Sequence, residues 1–182
     1  RRAALSHARA RARGGRGIQI LHSDPAWYTI TSKQQLELTF ANKPKARGMT
    51  PLKANLQLIC QVSNEVDTLV LVLTDGEPSD CKMPDIQQML QARSKSVYMS
   101  FLMCTHEDEV VEHYNKCIDP IWGCDITDDY VSERKECERA GNKLSQYKWM
   151  AKSVLGGKMG RKYDTLDEKK VPAPGEGGCC VI

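Results

Sequence analysis

Two short segments of this 182-residue chain contain residues suited to binding a hard metal ion. The first is TDGEPSD at residues 74–80, where Asp75 directly follows an apolar run. A carboxylate held at the end of a strand is well placed to coordinate Mg²⁺, which takes oxygen ligands. Gly76 would permit the tight turn that exposes this carboxylate. The alternative is that Asp75 only caps the passage from strand to loop.

The second segment is GMTPL at residues 48–52. The hydroxyl of Thr50 could coordinate a cation, or it could cap the helix that follows. Thr at the N-cap and Pro at the first helical position are both favoured at helix starts. Thr50 and Pro51 therefore predict the start of a helix, and this segment taken alone favours the cap.

Apolar runs indicate which elements would position these two segments. Residues 68–74, TLVLVLT, form a continuous apolar run that is typical of a strand buried on both faces of a parallel sheet. Residues 97–103 form a second such strand, and helical patterns alternate with both. This alternation predicts an α/β fold with a mainly parallel sheet. Such folds bind ligands beside the carboxyl ends of their strands, which is where Asp75 lies.

Hydrophobic spacing and turn residues predict the remaining elements. A hairpin is expected from strands at residues 18–21 and 27–30, joined by a turn at 23–25. Helices are predicted over residues 32–41, from Pro51 onward, and over 85–93, 107–116, 131–140 and 144–156, with a last short strand within 118–126. Trp122, Trp149 and Met150 are predicted to be packing residues of the core.

The two segments together resemble the von Willebrand factor A (vWA) domain family. The matching residues are Gly48, Thr50, Pro51, Leu52, the strand at 69–74, Asp75, Gly76, Pro78 and Asp80. The resemblance covers residues 17–157 and implies a Rossmann-like, mainly parallel sheet with helices on both faces. It also implies a protein-binding module and not an enzyme.

In that family, a metal-ion-dependent adhesion site holds Mg²⁺ or Mn²⁺ at the top of the sheet. Its protein ligands are an Asp-x-Ser-x-Ser loop, one Thr and one Asp, and an acidic group from the partner protein completes the octahedron. Thr50 and Asp75 match the last two of these ligands. The residues that the resemblance implies for the partner-binding loop are Gly76, Glu77, Pro78 and Asp80.

The chain departs from the family pattern because it contains no Asp-x-Ser-x-Ser sequence. In the family this loop follows the first strand, which is central in the sheet. We therefore expect the first strand and first helix to be missing, and the start at Arg1 to reflect truncation or a wrong start site. Mg²⁺ or Mn²⁺ is expected only if those N-terminal ligands exist. Two ligands rarely hold Mg²⁺ against its hydration shell.

The two ends of the chain differ from its body. Residues 1–16 contain six Arg and no acidic residue, which leaves 20 basic and 23 acidic side chains in residues 17–182. We expect residues 1–16 to be a disordered basic arm. The body has no basic stripe with interleaved aromatic residues, so no nucleic acid partner is expected. Residues 158–182 are predicted to form a polar, flexible tail.

The chain ends in GCCVI, which resembles a Cys-a-a-X prenylation signal. Cys179 stands fourth from the end and is the expected lipidation site, with Cys180 as a second candidate. A single lipid chain gives only marginal membrane residence, so we expect a cytoplasmic protein that associates reversibly with the cytoplasmic face of a membrane. The eight cysteines have irregular spacing, which favours free thiols and a reducing compartment.

Other functions stay open at this point. One is a Mg²⁺-dependent hydrolase or phosphatase on a similar sheet, although Asp75 and Glu77 replace the Asp-x-Asp pair that such an enzyme needs. Another is a non-functional truncated remnant. The acidic run at 124–130 is expected to cap the next helix, with a second cation or acid/base site as the alternative. A weaker zinc hypothesis rests on Cys104, His106, His113 and Cys117.

Overall fold

The computed structural model of the chain describes residues 18–21, 27–41, 49–62 and 67–164. The basic arm predicted at residues 1–16 lies outside these ranges, as do Cys179 and Cys180. The hairpin turn at 23–25 and Gly48 also lie outside the described residues.

Within those ranges the chain forms five strands and six helices. The strands are β1 (Ile18–Leu21), β2 (Trp27–Ile30), β3 (Thr68–Thr74), β4 (Val97–Met103) and β5 (Cys124–Thr127). The helices are α1 (Lys33–Ala41), α2 (Leu52–Val62), α3 (Met83–Gln91), α4 (Asp108–Cys117), α5 (Tyr130–Arg139) and α6 (Gln146–Asp164). Each predicted helix and strand is present, and the bounds agree closely except at the carboxyl end of α6.

Three strands form a parallel sheet in the order β3, β4, β5. In its register Leu71 of β3 lies opposite Ser100 of β4, and Phe101 of β4 lies opposite Ile126 of β5. Strands β1 and β2 form a separate antiparallel hairpin. The prediction of an α/β fold with a mainly parallel sheet is confirmed. Among the described strands β4 is central, and β3 lies at an edge of the sheet.

The main hydrophobic core lies between one face of this sheet and helices α2, α3 and α4. Strand β4 contributes four side chains that are at most 1% exposed: Val97, Met99, Phe101 and Met103. Each helix contributes a pair of apolar residues four positions apart, namely Leu52 and Leu56, Ile86 and Leu90, and Val110 and Tyr114. Residues at this spacing share one helix face, so the periodicity that predicted the helices also determines which face they bury.

Strand β3 is covered on one face only, which corrects the prediction that residues 68–74 are buried on both faces. Its leucines, Leu69, Leu71 and Leu73, are 38%, 40% and 62% exposed. Its two valines point the other way and pack against the core. The reason is that α6, which covers the second face of the sheet, lies mainly over β4 and β5.

Helix α6 approaches the sheet closely because two glycines face it. The amide of Gly157 donates a hydrogen bond of 3.0 Å to Oγ of Ser100. A Cβ at Gly157 would overlap the backbone of Met99, and a Cβ at Gly156 would overlap the carboxylate of Asp125. Glycine is required here because only a residue without a Cβ lets the two backbones come this near.

The last helix continues past the boundary predicted at residue 158. It extends to Asp164 with a kink at Met159, where φ is −122° and ψ is 17°. Lys158 lies within it and forms an ion pair of 3.1 Å with Asp67, the residue before β3. The tail predicted to begin at residue 158 is therefore helical as far as residue 164. None of the helices in the described ranges combines the length and apolar character that crossing a bilayer requires.

Two large side chains that were predicted to pack in the core are at the surface. Trp122 is 49% exposed and Met150 is 58% exposed. Trp122 packs its ring against Tyr98, with 5.5 Å between the ring centroids. Trp149 is half-buried, and its indole nitrogen donates to the carbonyl of Asp128 over 2.9 Å.

Candidate interaction site at the carboxyl end of β3

The two motif segments lie side by side in the structure. The amide of Ser79 donates to the carbonyl of Thr50 over 2.9 Å. The Asp80 carboxylate accepts one hydrogen bond from the amide of Lys53 (3.1 Å) and one from the amide of Ala54 (2.9 Å). Three hydrogen bonds thus join Thr50 and the first turn of α2 to the loop after β3.

Asp80, and not Thr50, provides the side-chain cap of α2. The helix begins at Leu52, one residue later than the sequence predicts, and its first amides point to both oxygens of Asp80. A carboxylate is favourable there because it accepts bonds from unpaired amides and faces the positive end of the helix dipole. The amides of Ser79 and Leu52 donate to the backbone carbonyl of Thr50, and neither bond involves the Thr50 hydroxyl. The structure thus gives Asp80 a role as a helix cap, and its predicted contact with a partner stays a prediction.

A buried tyrosine fixes the turn that follows β3. The hydroxyls of Tyr114 and Thr74 both donate to the carbonyl of Gly76, each over 3.1 Å. Burial raises the pKa of Tyr114 to about 12, so its hydroxyl stays protonated and can donate. The φ angle of Gly76 is not positive, and a Cβ at this position would meet no atom within 4 Å. Contrary to the sequence-based prediction, the turn does not need glycine, since hydrogen bonds to its carbonyl hold it.

Acidic side chains give the surface of this turn its charge. Asp75 is exposed. Glu77 contacts the ring of His113 on α4, with 2.5 Å between Oε1 and Nδ1, and these two side chains are 47% and 58% exposed. Water screens a pair this exposed, so the contact adds little to stability. Pro78 is half-buried beside it. Asp75 and Glu77 are therefore acidic residues that a partner could reach, and Asp80 of the same loop is exposed as well.

The end of β4 lies next to Asp75. The amide of Cys104 donates to the carbonyl of Thr74 over 2.8 Å, which extends the parallel ladder by one bond. Partial burial, and then the negative charge of Asp75, raise the pKa of the Cys104 thiol. The thiol is thus protonated at neutral pH, which does not suit a nucleophile.

The metal site predicted from Thr50 and Asp75 has suitable chemistry but too few ligands. A hydroxyl and a carboxylate are oxygen donors of the kind that Mg²⁺ and Mn²⁺ take, but they would fill only two of about six positions. In the part of the chain that the structure describes, no group of three or more His, Cys, Asp or Glu side chains could hold a metal ion. Mg²⁺ or Mn²⁺ binding through Thr50 and Asp75 therefore stays a prediction that needs further ligands. The weaker zinc hypothesis gains no support from the described residues.

The acidic run at 124–130 contains a helix cap, as predicted. The carboxylate of Asp129 accepts from the amides of Val131 (2.7 Å) and Ser132 (3.3 Å) and from the Ser132 hydroxyl (2.8 Å). Slight burial opposes ionisation of Asp129, but these hydrogen bonds outweigh it and lower the pKa of the carboxyl. The cap belongs to α5, which begins at Tyr130, one residue before the predicted start at residue 131.

The same region holds a buried charged cluster that sequence reasoning missed. Nζ of Lys152 on α6 lies 2.8 Å from Oε2 of Glu133 on α5, and both side chains are at most 7% exposed. Asp125 on β5 is 2% exposed and accepts a 3.0 Å hydrogen bond from the hydroxyl of Thr127. Burial raises the pKa of Asp125 to about 7, and Lys152 opposes that rise. The only signal in the sequence was a carboxylate between apolar residues of a short strand. Because Gly156 packs directly on Asp125, we interpret the cluster as structural.

The six cysteines in the described ranges are free thiols. Comparison of this chain with protein-family models, with curated proteins and with solved structures found no match. The resemblance to vWA domains therefore stays a prediction that depends on the two motif segments. The function has to be argued from the joined loops themselves.

Proposed function

We propose that this chain is a protein-interaction module, and that its partner binds the two joined loops at the carboxyl end of β3. One observation carries the proposal: Ser79 and Asp80 tie the loop after β3 to Thr50 and the start of α2. These hydrogen bonds hold the backbone of both loops. Met49, next to Thr50, is 73% exposed, and Asp75 is also accessible. Ordered loops on a rigid sheet are the usual place for binding residues.

The charge of this surface restricts how a partner can bind. The family resemblance implies a partner with an acidic residue, but Asp75 and Glu77 are themselves acidic. Like charges in direct opposition cost affinity. An acidic partner therefore needs Mg²⁺ or Mn²⁺ between the two carboxylates, with ligands beyond Thr50 and Asp75. Without those ligands, the surface favours a partner that offers a basic residue.

Site-specific photocrosslinking tests the proposal. One variant carries the crosslinker in place of Met49, and a matched control carries it in place of Tyr147 on α6, which is 85% exposed. We expect position 49 to give a discrete crosslinked protein in extracts of the source cells, and position 147 not to give it. Asp75→Ala should abolish that product, and removal of Mg²⁺ with EDTA shows whether a cation takes part. Identical products from both positions, or a product that Asp75→Ala leaves unchanged, would contradict the proposal.

A phosphatase assay tests the alternative that the protein is a hydrolase. The purified chain is incubated with a generic phosphate ester and Mg²⁺, and release of phosphate is followed. We expect no turnover above the buffer, because Glu77 replaces the second Asp of an Asp-x-Asp pair and is in contact with His113. Turnover that disappears in Asp75→Ala would overturn the interaction module in favour of a hydrolase.

We also propose that a prenyl group on Cys179, or on both Cys179 and Cys180, tethers the module at the cytoplasmic face of a membrane. The support is the GCCVI ending and the Pro/Gly-rich stretch at 172–178 before it. One lipid chain gives reversible binding, so we expect the protein in both soluble and membrane fractions. The intact mass of the endogenous protein checks this. A prenyl adduct with the last three residues removed supports the tether, and an unmodified Ile182 terminus contradicts it.

A further inference from the structure

The outer edge of β3 has no strand partner among the described residues. The amide of Thr68 and the carbonyl of Thr74 bond to backbone at the two ends of β4. Backbone groups alternate in direction along a strand. The N–H and C=O groups of Leu69, Leu71 and Leu73 therefore point to the outer edge.

The same three leucines also expose their side chains. They lie on the face of the sheet that α6 covers, because Leu71 is opposite Ser100 and Ser100 accepts a hydrogen bond from the amide of Gly157. They are 38% to 62% exposed because α6 lies mainly over the other two strands. Protein edge strands are normally protected by Lys, Pro or a bulge. The strand TLVLVLT contains neither Lys nor Pro and has no charge.

The sequence of β3 reads the same in both directions, with Leu71 at its centre. We propose that two copies of this chain pair through β3, antiparallel, about a two-fold axis at Leu71. In a two-fold interface the same surface must complement itself. A palindromic strand meets this condition at every position, since each residue faces one of its own type.

The register of this pairing agrees with the direction of the backbone groups. Leu71 faces Leu71 of the second copy, and Leu69 faces Leu73. All three leucines have their backbone groups at the outer edge, so each facing pair would exchange two hydrogen bonds, as in the narrow pairs of antiparallel sheets. The seven residues of β3 give a paired edge of about 23 Å at roughly 3.3 Å per residue.

Side-chain contacts would add to these hydrogen bonds. Residues directly opposite in an antiparallel pair lie on the same face and contact each other. The leucines of both copies therefore form one continuous row between the two α6 helices. Beyond the strand, the register brings Asp67 opposite Asp75 of the second copy. Lys158, already paired with Asp67, supplies the positive charge that this position needs.

Charge substitution at the two-fold axis tests the proposal. Leu71→Lys and Leu71→Glu each place two like charges opposite one another, whereas a mixture of the two places opposite charges there. Val131→Lys on α5 is the matched control, since Val131 is 52% exposed and lies on another element. The full chain is studied by light scattering after size exclusion over a wide range of concentration. Far-UV circular dichroism confirms that each variant is folded.

We expect the wild type and Val131→Lys to reach twice the chain mass of 20.4 kDa. We expect Leu71→Lys and Leu71→Glu each to be monomers, and their mixture to form a dimer. A wild type that stays monomeric at every concentration overturns the proposal. In that case a strand of another protein, or of another part of the chain, would be expected to pair with the edge of β3. A dimer that survives in Leu71→Lys places the interface elsewhere. Failure of the mixture to dimerise overturns the antiparallel register.

Discussion

Lys152 of α6 and Glu133 of α5 form an ion pair of 2.8 Å in which both side chains are almost completely buried. This ion pair links α5 to α6. Asp125 of β5 is buried in the same cluster and interacts electrostatically with both residues. Substitutions and pH changes that alter the charges of this cluster should therefore change the stability of the protein.

Removal of one member of the buried pair should be strongly destabilising. Lys152→Met leaves Glu133 buried without its main counter-charge, which typically costs about 3–5 kcal/mol. The measurement is the free energy of unfolding from urea denaturation. Lys33→Ala is the control, because Lys33 and Glu37 form an ion pair on α1 whose side chains are 88% and 64% exposed. This control should change stability by about 1 kcal/mol or less.

Replacement of the whole buried pair should cost much less than the single change. In Lys152→Met with Glu133→Leu, both charges are removed and two apolar side chains of similar length remain, an exchange that is often neutral. A double variant as unstable as Lys152→Met would show that packing, and not the charge left behind, causes the loss.

Stability should fall as the pH rises from about 4 to about 7. Burial raises the pKa of Asp125 from 3.8 to about 7 in the folded protein, and Lys152 opposes that rise. In this window the folded state holds a proton that the unfolded state releases, so the free energy of unfolding decreases with pH. The check is urea denaturation of wild type and Asp125→Asn at pH 5 and pH 8. Asp125→Asn should be the more stable protein at pH 8, and the difference should shrink at pH 5.

The comparison with Asp125→Asn also shows whether Asp125 is the residue that causes the pH dependence. Asn keeps an oxygen that can accept the Thr127 hydroxyl but cannot ionise, so it removes the titration and retains the contact. If the stability difference between the two proteins does not change with pH, Asp125 is not the titrating residue. Asp128, whose pKa is also raised by partial burial, would then be the next residue to replace.

A side chain at Gly156 should disrupt the packing of α6 on the sheet. In Gly156→Ala the new Cβ would overlap the carboxylate of Asp125, and overpacking of this kind costs about 1–3 kcal/mol or more. Gly76→Ala is the control, since a Cβ there meets no atom within 4 Å and φ is not positive. Thermal unfolding by circular dichroism compares the two. Equal midpoints would show that α6 can move away from β5 at no cost.

Loss of the Asp80 carboxylate should weaken both the start of α2 and the link between the loops. Asp80→Ala removes the acceptor for the amides of Lys53 and Ala54, and loss of such a cap costs about 1 kcal/mol. Amide hydrogen exchange at residues 53 and 54 should accelerate. Asp85→Ala is the matched control, because Asp85 accepts the amide of Lys82 at the start of α3 and takes no part in the link. Acceleration at 53 and 54 in both variants would mean general destabilisation.

The elements and the fold class could be predicted from the sequence because their signals are local. The paired apolar residues of α2, α3 and α4 are four positions apart, and the strands β3 and β4 are continuous apolar runs. Alternation of these patterns is sufficient to indicate an α/β fold with a parallel sheet. The two motif segments were also recognisable, since each is a short run of residues.

The burial of β3 could not be predicted, because it depends on where a distant helix lies. The residues of β3 and β4 are equally apolar, yet only β4 has cover on both faces. The difference arises because α6 packs over β4 and β5 through Gly156 and Gly157. No pattern within residues 68–74 indicates where α6 lies. The sequence of β3 therefore predicted a strand buried on both faces, whereas the structure has an edge strand with exposed leucines.

The sequence alone determined the helices, the strands, the α/β class and the identity of two loops with oxygen-bearing side chains. Only the tertiary structure decided what those side chains do. Asp80 caps a helix that begins 28 residues earlier in the chain, at Leu52, and Lys152 meets Glu133 across a separation of 19 residues. These pairings depend on how the helices pack against the sheet and against each other. Hydrophobic burial over the whole domain determines that packing, and local residue spacing does not encode it.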